Sequence, residues 1–230
     1  MALAIFDLDN TLLGDDSDYL WGRFLAERGI VDAQRYEREN DRFYREYKDG
    51  RLDIQEFLRF SLRPLAEHPV AELHAWRERF IAEKIEPVIL AAGRELLARH
   101  RAAGDTLLII TATNAFVTAP IAERLGVPHL IATEPELEAG RYTGKVAGVP
   151  SFREGKIARL EAWLGARGET LRGSWFYSDS HNDIPLLDRV DHPVAVDPDD
   201  RLAAHARNRG WPVISLRDPS SPCPHPGPHR

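Results

Sequence analysis

The sequence predicts an α/β fold: a parallel sheet with an all-helical segment inserted after its first strand and a small β-hairpin later in the chain. Three observations carry this. Short apolar runs recur at 3–6, 107–110, 129–132, 175–177, 193–196 and 213–216, with helical patterns between most of them, which is the alternation of a parallel sheet. Between 15 and about 86 no strand-like run appears, and the large apolar residues follow helical spacing. The stretch "EAGRYTGKVAG" has the Gly-rich turn of a hairpin.

Taken in order, "LAIFDLDNTLL" opens as a buried strand and ends its apolar run at Asp7 and Asp9. Residues two apart on a strand project to one face, and at the carboxyl end of a parallel strand they face the ligand crevice. The next segment spaces Leu20, Phe24 and Leu25, then Tyr36, Phe43, Tyr44 and Tyr47, then Ile54, Phe57, Leu58 and Leu62, then Leu73, Trp76 and Phe80 as helix faces. Because it interrupts the chain directly after the first strand, this segment must lie over that strand's carboxyl end, as a cap. The expected division is a core of residues 1–14 and 87–218, a helical cap of 15–86 and a disordered tail of 219–230. Helix punctuation supports the return to the core: "IEPVILAAGRELLARHRAAGD" has Pro87 near a helix start and Gly104 past its end. The tail carries five prolines and no apolar period, so His225 and His229 read as part of a disordered segment rather than as metal ligands. No internal repeat is found.

A chain of 230 residues that is 43% hydrophobic can bury one large core, or one core with an attached lobe. Its net charge of −6 is spread along the chain without a basic cluster, which argues against nucleic acid as a partner. No apolar run approaches the ~20 residues that span a bilayer, and the amino terminus lacks a signal pattern. The single cysteine, Cys223, permits no internal disulfide or cysteine metal cluster. The expectation is a soluble protein of the cytoplasm without a membrane partner.

Four segments could carry chemistry. Asp7 and Asp9 form the first, although carboxylates after strands also serve as turn residues. The second, "SWFYSDSHND", again runs a strand into an acid, Asp179, with Asp183 at the start of a helix where it could cap. Gathering Asp179 beside Asp7 and Asp9 sets carboxylates against each other at about 4 kcal/mol per pair for ~4 Å and an effective dielectric of about 20. A cation must offset that, and hard oxygen ligands favour Mg²⁺. The third, "LLIITATN", ends a strand at Thr111, Thr113 and Asn114, where a hydroxyl and helix-start N–H groups suit either an anion or an ordinary cap. The fourth is Lys156 in "FREGKIARLEAWL", a helix position at which lysine is usually solvated.

In this order, Asp7-Leu8-Asp9-Asn10-Thr11, then Thr111, then Lys156, then Asp179 with Asp183 resemble the motif set of the haloacid dehalogenase superfamily, over residues 3 to about 216. The insert resembles the cap of subfamily IB, the phosphoserine phosphatase-like group. The resemblance implies a Rossmann-like core with a C1-type cap, and a Mg²⁺-dependent phosphomonoesterase acting on a small phosphorylated metabolite. It implies Asp7 as the nucleophile that becomes an aspartyl-phosphate and Asp9 as acid and then base. It also implies a metal held by Asp7, the Asp9 carbonyl and Asp179 with support from Asp183, and a phosphate cradle of Thr111, the Ala112 N–H and Lys156, with Asn182 nearby. One departure is Ser178 where the family usually has glycine, from which little effect is expected.

Two further departures bear on the substrate. The family's substrate-binding glutamate, nine residues past the nucleophile, is here Asp16, still able to hold an amine. Its cap pattern "GxLxFxxxLRxR" reads here "GRLDIQEFLRFS", so Arg59 is kept but the carboxylate-binding arginine is replaced by Ser61. An acid kept and a carboxylate clamp lost point to a cationic substrate without a carboxylate, of which histidinol phosphate is the best match. Trp21, Tyr44 or Tyr47 could face its imidazole or could be cap core, and Arg63 could replace the missing arginine. The competing readings are a phosphoserine phosphatase, a phosphotransferase or phosphomutase of the same superfamily, a receiver-like signalling module and an inactive interaction protein.

Overall fold

The computed structural model describes residues 2–218; the expected disordered tail, with Cys223, His225 and His229, lies outside them. Six parallel strands, β1 (Leu3–Phe6), β2 (Thr106–Asn114), β3 (His129–Thr133), β6 (Trp175–Ser178), β7 (His192–Val196) and β8 (Val213–Ile214), form one sheet in the order β3-β2-β1-β6-β7-β8. Each strand coincides with one of the apolar runs. A parallel sheet is covered on both faces, so its strands are apolar throughout rather than alternating. Ala4 and Phe6 enter one hydrophobic cluster while Leu3 and Ile5 enter the other.

Register brings the catalytic segments level. Phe6 pairs with Ile109 of β2 and with Tyr177 of β6, and the Asp7 N–H donates to the Tyr177 carbonyl at 2.9 Å. The residues just past these pairs therefore meet at one end of the sheet.

Five helices, α1 (Ser17–Glu27), α2 (Ala33–Lys48), α3 (Ile54–Ser61), α4 (Arg63–Glu67) and α5 (Val70–Phe80), fill the segment between β1 and β2. Asp16, Asp32 and Asp53 cap α1, α2 and α3, each carboxylate accepting first-turn N–H groups. The two ends of the insert are stitched together: the Gly14 N–H donates to the Val88 carbonyl at 2.7 Å and the Leu90 N–H to the Leu12 carbonyl at 3.1 Å. Pro87 belongs to a 3₁₀ turn, Glu86–Val88, and α6 (Ala91–Ala102) starts only after extended residues, later than the sequence suggests. The bridge between Leu13 and Ile89 needs that extended stretch.

After β2 come α7 (Ala115–Arg124), capped by Asn114, and then β3. The hairpin follows as β4 (Pro135–Glu138) and β5 (Arg141–Val146), turning at Ala139 and Gly140, both with positive φ, as a tight hairpin turn requires. Helices α8 (Glu154–Arg167), α9 (Ile184–Leu187) and α10 (Asp200–Arg209) complete the cover of the sheet. Among the described residues no helix is long and apolar enough to cross a membrane.

Trp21 is core. It is 1% exposed, lies 5.1 Å from the Phe80 ring edge-on and 5.9 Å from Phe116 of α7, so it joins the insert to the sheet layer instead of facing a ligand. One hydrophobic cluster contains insert residues such as Leu58, Leu65 and Leu73 together with Phe6, Ile109 and Val194. Trp21→Ala is therefore expected to cost about 3–5 kcal/mol and to lower one cooperative transition in urea, monitored by both fluorescence and circular dichroism; two separated transitions would contradict a shared core.

Candidate active site

Where β1, β2 and β6 end, the chain gathers polar residues that are almost wholly out of water: Asp7 is 5% exposed, Thr111 1%, Lys156 4%, Asp179 5% and Asp183 2%. The Lys156 ammonium, reaching in from the first turn of α8, donates to Asp7 Oδ1 at 2.8 Å and to Asp183 Oδ2 at 2.8 Å. Burial alone would strip its proton, yet Asp183 and Asp7 raise its pKa above the ordinary lysine value. Lys156 is therefore a buried, permanently charged bridge, not the solvated lysine usual at such a position.

Burial pushes the Asp7 carboxyl up to about 7 against the pull of Lys156, with Asp183 and Asp9 adding repulsion. Asp9 is placed by β1's end and the start of α1: it accepts from the Ser17 N–H at 2.7 Å, the Thr113 hydroxyl at 2.8 Å and the Thr111 hydroxyl at 3.4 Å. Burial, together with the charge of Asp16, pushes it up to about 6. Thr113 thus holds Asp9 more closely than Thr111 does. The Thr111 hydroxyl also accepts from the Thr113 N–H at 3.2 Å.

Asp179 receives a hydroxyl bond from Thr11 at 3.4 Å, and burial and the Asp7 charge raise it well above an ordinary carboxyl. Asp183 makes no side-chain cap for α9; it is fixed by Lys156 and by the Ser178 hydroxyl at 2.7 Å. Ser178, a departure expected to matter little, thus braces Asp183, and its hydroxyl also accepts from the Ser180 N–H at 3.2 Å. Among the described residues no cage of three or more His, Cys, Asp or Glu side chains is formed. The carboxylates of Asp7 and Asp179 lie near enough for the charge of Asp7 to act on Asp179.

A cavity of about 620 Å³ opens from this point beneath the insert. Its lining takes Asp7, Asp9, Thr111, Ala112, Thr113 and Lys156 from the core and Asp16, Asp18, Tyr19, Tyr44 and Tyr47 from the insert; the charge of Asp16 acts on Asp9, and burial and the charges of Asp179 and Asp7 raise the Tyr47 hydroxyl well above its ordinary range. Asp16 spends one carboxylate oxygen on the N–H groups of Asp18 and Tyr19 at 3.0 and 2.9 Å. Burial, then the charges of Asp16 and Asp9, raise Asp18 well above the ordinary range, and among the described residues no cation pairs with it. Asp18 was missed in the sequence because a first-turn acid reads as a helix-dipole residue.

Several expected residues lie elsewhere. Among the described residues no arginine lines the cavity. Arg59 is exposed and faces a groove against β5, and Arg63 pairs with Glu67 at 3.4 Å. Asn182 is not part of the lining: its carbonyl oxygen accepts from Arg153 at 3.0 Å and its amide donates to the Ser180 hydroxyl at 3.2 Å.

A family model, haloacid dehalogenase-like hydrolase, matches residues 4–188. A histidinol-phosphatase of Neisseria meningitidis serogroup C (strain 8013) is 48% identical over 219 residues, covering 94% of this chain and 99% of that protein. The phosphoserine phosphatase SerB1 of Mycobacterium tuberculosis (strain ATCC 25618 / H37Rv) is 35% identical over 94% of this chain and 71% of its own. A crystal structure of a protein of unknown function from Bordetella pertussis Tohama I superposes with a TM-score of 0.89 at 47% identity, covering 94% of this chain and 98% of that one.

Lys156→Met would leave Asp7 and Asp183 buried without their cation, a change that costs about 3–5 kcal/mol. Thermal unfolding without added divalent ions should show that loss, and adding Asp183→Asn should recover part of it.

Proposed function

We propose that this chain, which belongs to the haloacid dehalogenase-like hydrolase family, is a phosphomonoesterase whose substrate is histidinol phosphate. The observation that carries the reading is the make-up of the cavity: Asp7 and a buried cation from the core, and from the insert two carboxylates with tyrosines and no arginine. A phosphoester with a cationic, carboxylate-free head matches both sets. The identity of 48% with the meningococcal histidinol-phosphatase supports it. A phosphoserine carboxylate would meet Asp16 and Asp18 without a guanidinium to receive it.

An Asp7 carboxylate oxygen attacks phosphorus, forming an Asp7–phosphate bond as the bond to the substrate's alcohol oxygen breaks. Asp9, held at the rim by Thr113 and Ser17 and close to half-protonated near its raised pKa of about 6, gives its proton to the departing oxygen. It then takes a proton from water, whose oxygen attacks the same phosphorus and releases phosphate, restoring the Asp7 carboxylate. Lys156 offsets charge throughout and orients Asp7. Thr111 and the Ala112 N–H, from residues lining the same cavity, would donate to phosphoryl oxygens.

The donor set fits Mg²⁺. Asp179 is a buried carboxylate with one long hydroxyl contact, facing Asp7, and such a pair is relieved by a hard cation held through two carboxylates and a backbone carbonyl. Asp7, Asp179 and the Asp9 carbonyl would hold it, with Asp183 supporting from behind Lys156. When bound, the ion supplies charge neutralisation of the phosphoryl group and keeps Asp7 ionised.

Phosphate release from a panel of small phosphoesters with Mg²⁺ tests the reading. Histidinol phosphate should be cleaved in preference to phosphoserine, Asp7→Asn should abolish release, and chelation with EDTA should do so reversibly. Preference for phosphoserine would overturn the substrate assignment. Asp18→Asn should raise KM for histidinol phosphate about tenfold, the scale of a lost charge-assisted contact, while leaving kcat within a few-fold.

A further inference from the structure

Arg153 occupies a backbone conformation that side-chain-bearing residues rarely adopt, φ 49° and ψ −119°. Such strain persists where the surroundings over-determine it. The turn that imposes it is tight: a Cβ at Gly155 would lie 2.0 Å from the Pro150 carbonyl oxygen. What this turn achieves is to send one guanidinium to two places. Arg153 Nε donates to Asn182 Oδ1 at 3.0 Å, in the loop that carries Asp179 and Asp183, and Arg153 Nη2 donates to the Gly50 carbonyl at 2.6 Å, in the turn after α2.

The same two segments meet at a second point. The Tyr47 hydroxyl, on the last turn of α2, donates to Ser180 Oγ at 3.3 Å, and that oxygen also accepts from the Asn182 amide. The contacts form a closed circuit: Gly50 to Arg153 to Asn182 to Ser180 to Tyr47 and back along the chain. Arg201 Nη1 adds a bond to the Asp49 carbonyl at 3.1 Å. Gly50, with φ +70°, is required here because a Cβ would stand 2.7 Å from His181 Nε2 and 2.9 Å from Arg201 Nη1. Tyr47 and Phe152, whose rings lie 6.3 Å apart, both line the cavity.

We propose that Arg153 is a positioning residue: it clamps the turn after α2 to the Asp179–Asp183 loop and so fixes where the insert's side of the cavity stands against the core side. The clamp does not touch substrate. Its influence on turnover rests on the phosphatase reading, but the clamp itself does not. It meets its two acceptors with different nitrogens of one rigid plane, Nε and Nη2, a fixed spread of donors that the single nitrogen of a lysine does not reproduce.

The test is amide hydrogen exchange of residues 48–52 in the full chain, read beside steady-state kinetics on whichever phosphoester the wild type cleaves. In Arg153→Ala the exchange of this turn should accelerate about ten- to hundredfold, the scale of a lost hydrogen bond to a charged group. KM should rise about as much and more than kcat falls, because the insert's side of the cavity is displaced while Asp7 and Lys156 stay in place. Arg153→Lys should resemble Arg153→Ala. Gly50→Ala should accelerate the same amides, and combining it with Arg153→Ala should add little, as for two lesions in one circuit. Unchanged exchange in Arg153→Ala, full rescue by lysine, or additive effects would overturn the clamp. Faster exchange with unaltered KM and kcat would overturn its role in positioning. If the wild type cleaves no phosphoester, the phosphatase reading fails while the exchange result still decides the clamp.

Discussion

The site depends on one buried ammonium. Lys156 sits between Asp7 and Asp183 at 2.8 Å from each, and without it the tips of the sheet could not bring several carboxylates together out of water. Buried charge is tolerable only when paired and hydrogen-bonded, and here each partner is also tied elsewhere: Asp183 to Ser178, and the Asp7 backbone to Tyr177. The fold supplies this economically. Three adjacent parallel strands in register end at one level, and the first turn of α8 delivers the cation.

One carboxylate is left outside that balance. Asp179 lies near Asp7 with a long hydroxyl contact from Thr11, and although the Lys48 and Lys156 charges pull its pKa down, burial and the repulsion of Asp7 and Asp183 keep it well above the ordinary carboxyl value. A divalent ion and a phosphoryl group are mutually dependent occupants of such a site: the ion relieves the carboxylates, and the phosphate relieves the ion. Asp9 stands apart from this pair, held by a backbone N–H and two hydroxyls.

The helical insert contributes selectivity and enclosure by different parts. Its first helix presents Asp16, Asp18 and Tyr19 to the cavity, while its second presents Tyr44 and Tyr47. The turn after the second helix is gripped by core residues, and the hydrophobic cluster runs unbroken from the insert into one face of the sheet. The insert's side of the cavity is thus braced by contacts lying outside the cavity itself.

What the sequence determined by itself was where the strands fall along the chain, the placement of the helical insert and the core residues that line the cavity. Those are legible because parallel strands are continuous apolar runs, and because an acid closing such a run must emerge at the sheet's carboxyl edge. Tertiary structure decided the rest. Helical spacing marks Trp21 and Tyr44 alike, yet one is core and the other lines the cavity, because burial depends on what lies opposite each helix. Ser178 reads as a neutral replacement in the sequence, and no local pattern there singles out Asp18 or Arg153. Their contacts join segments far apart in the chain, and local pattern holds no record of which distant atoms a side chain will meet.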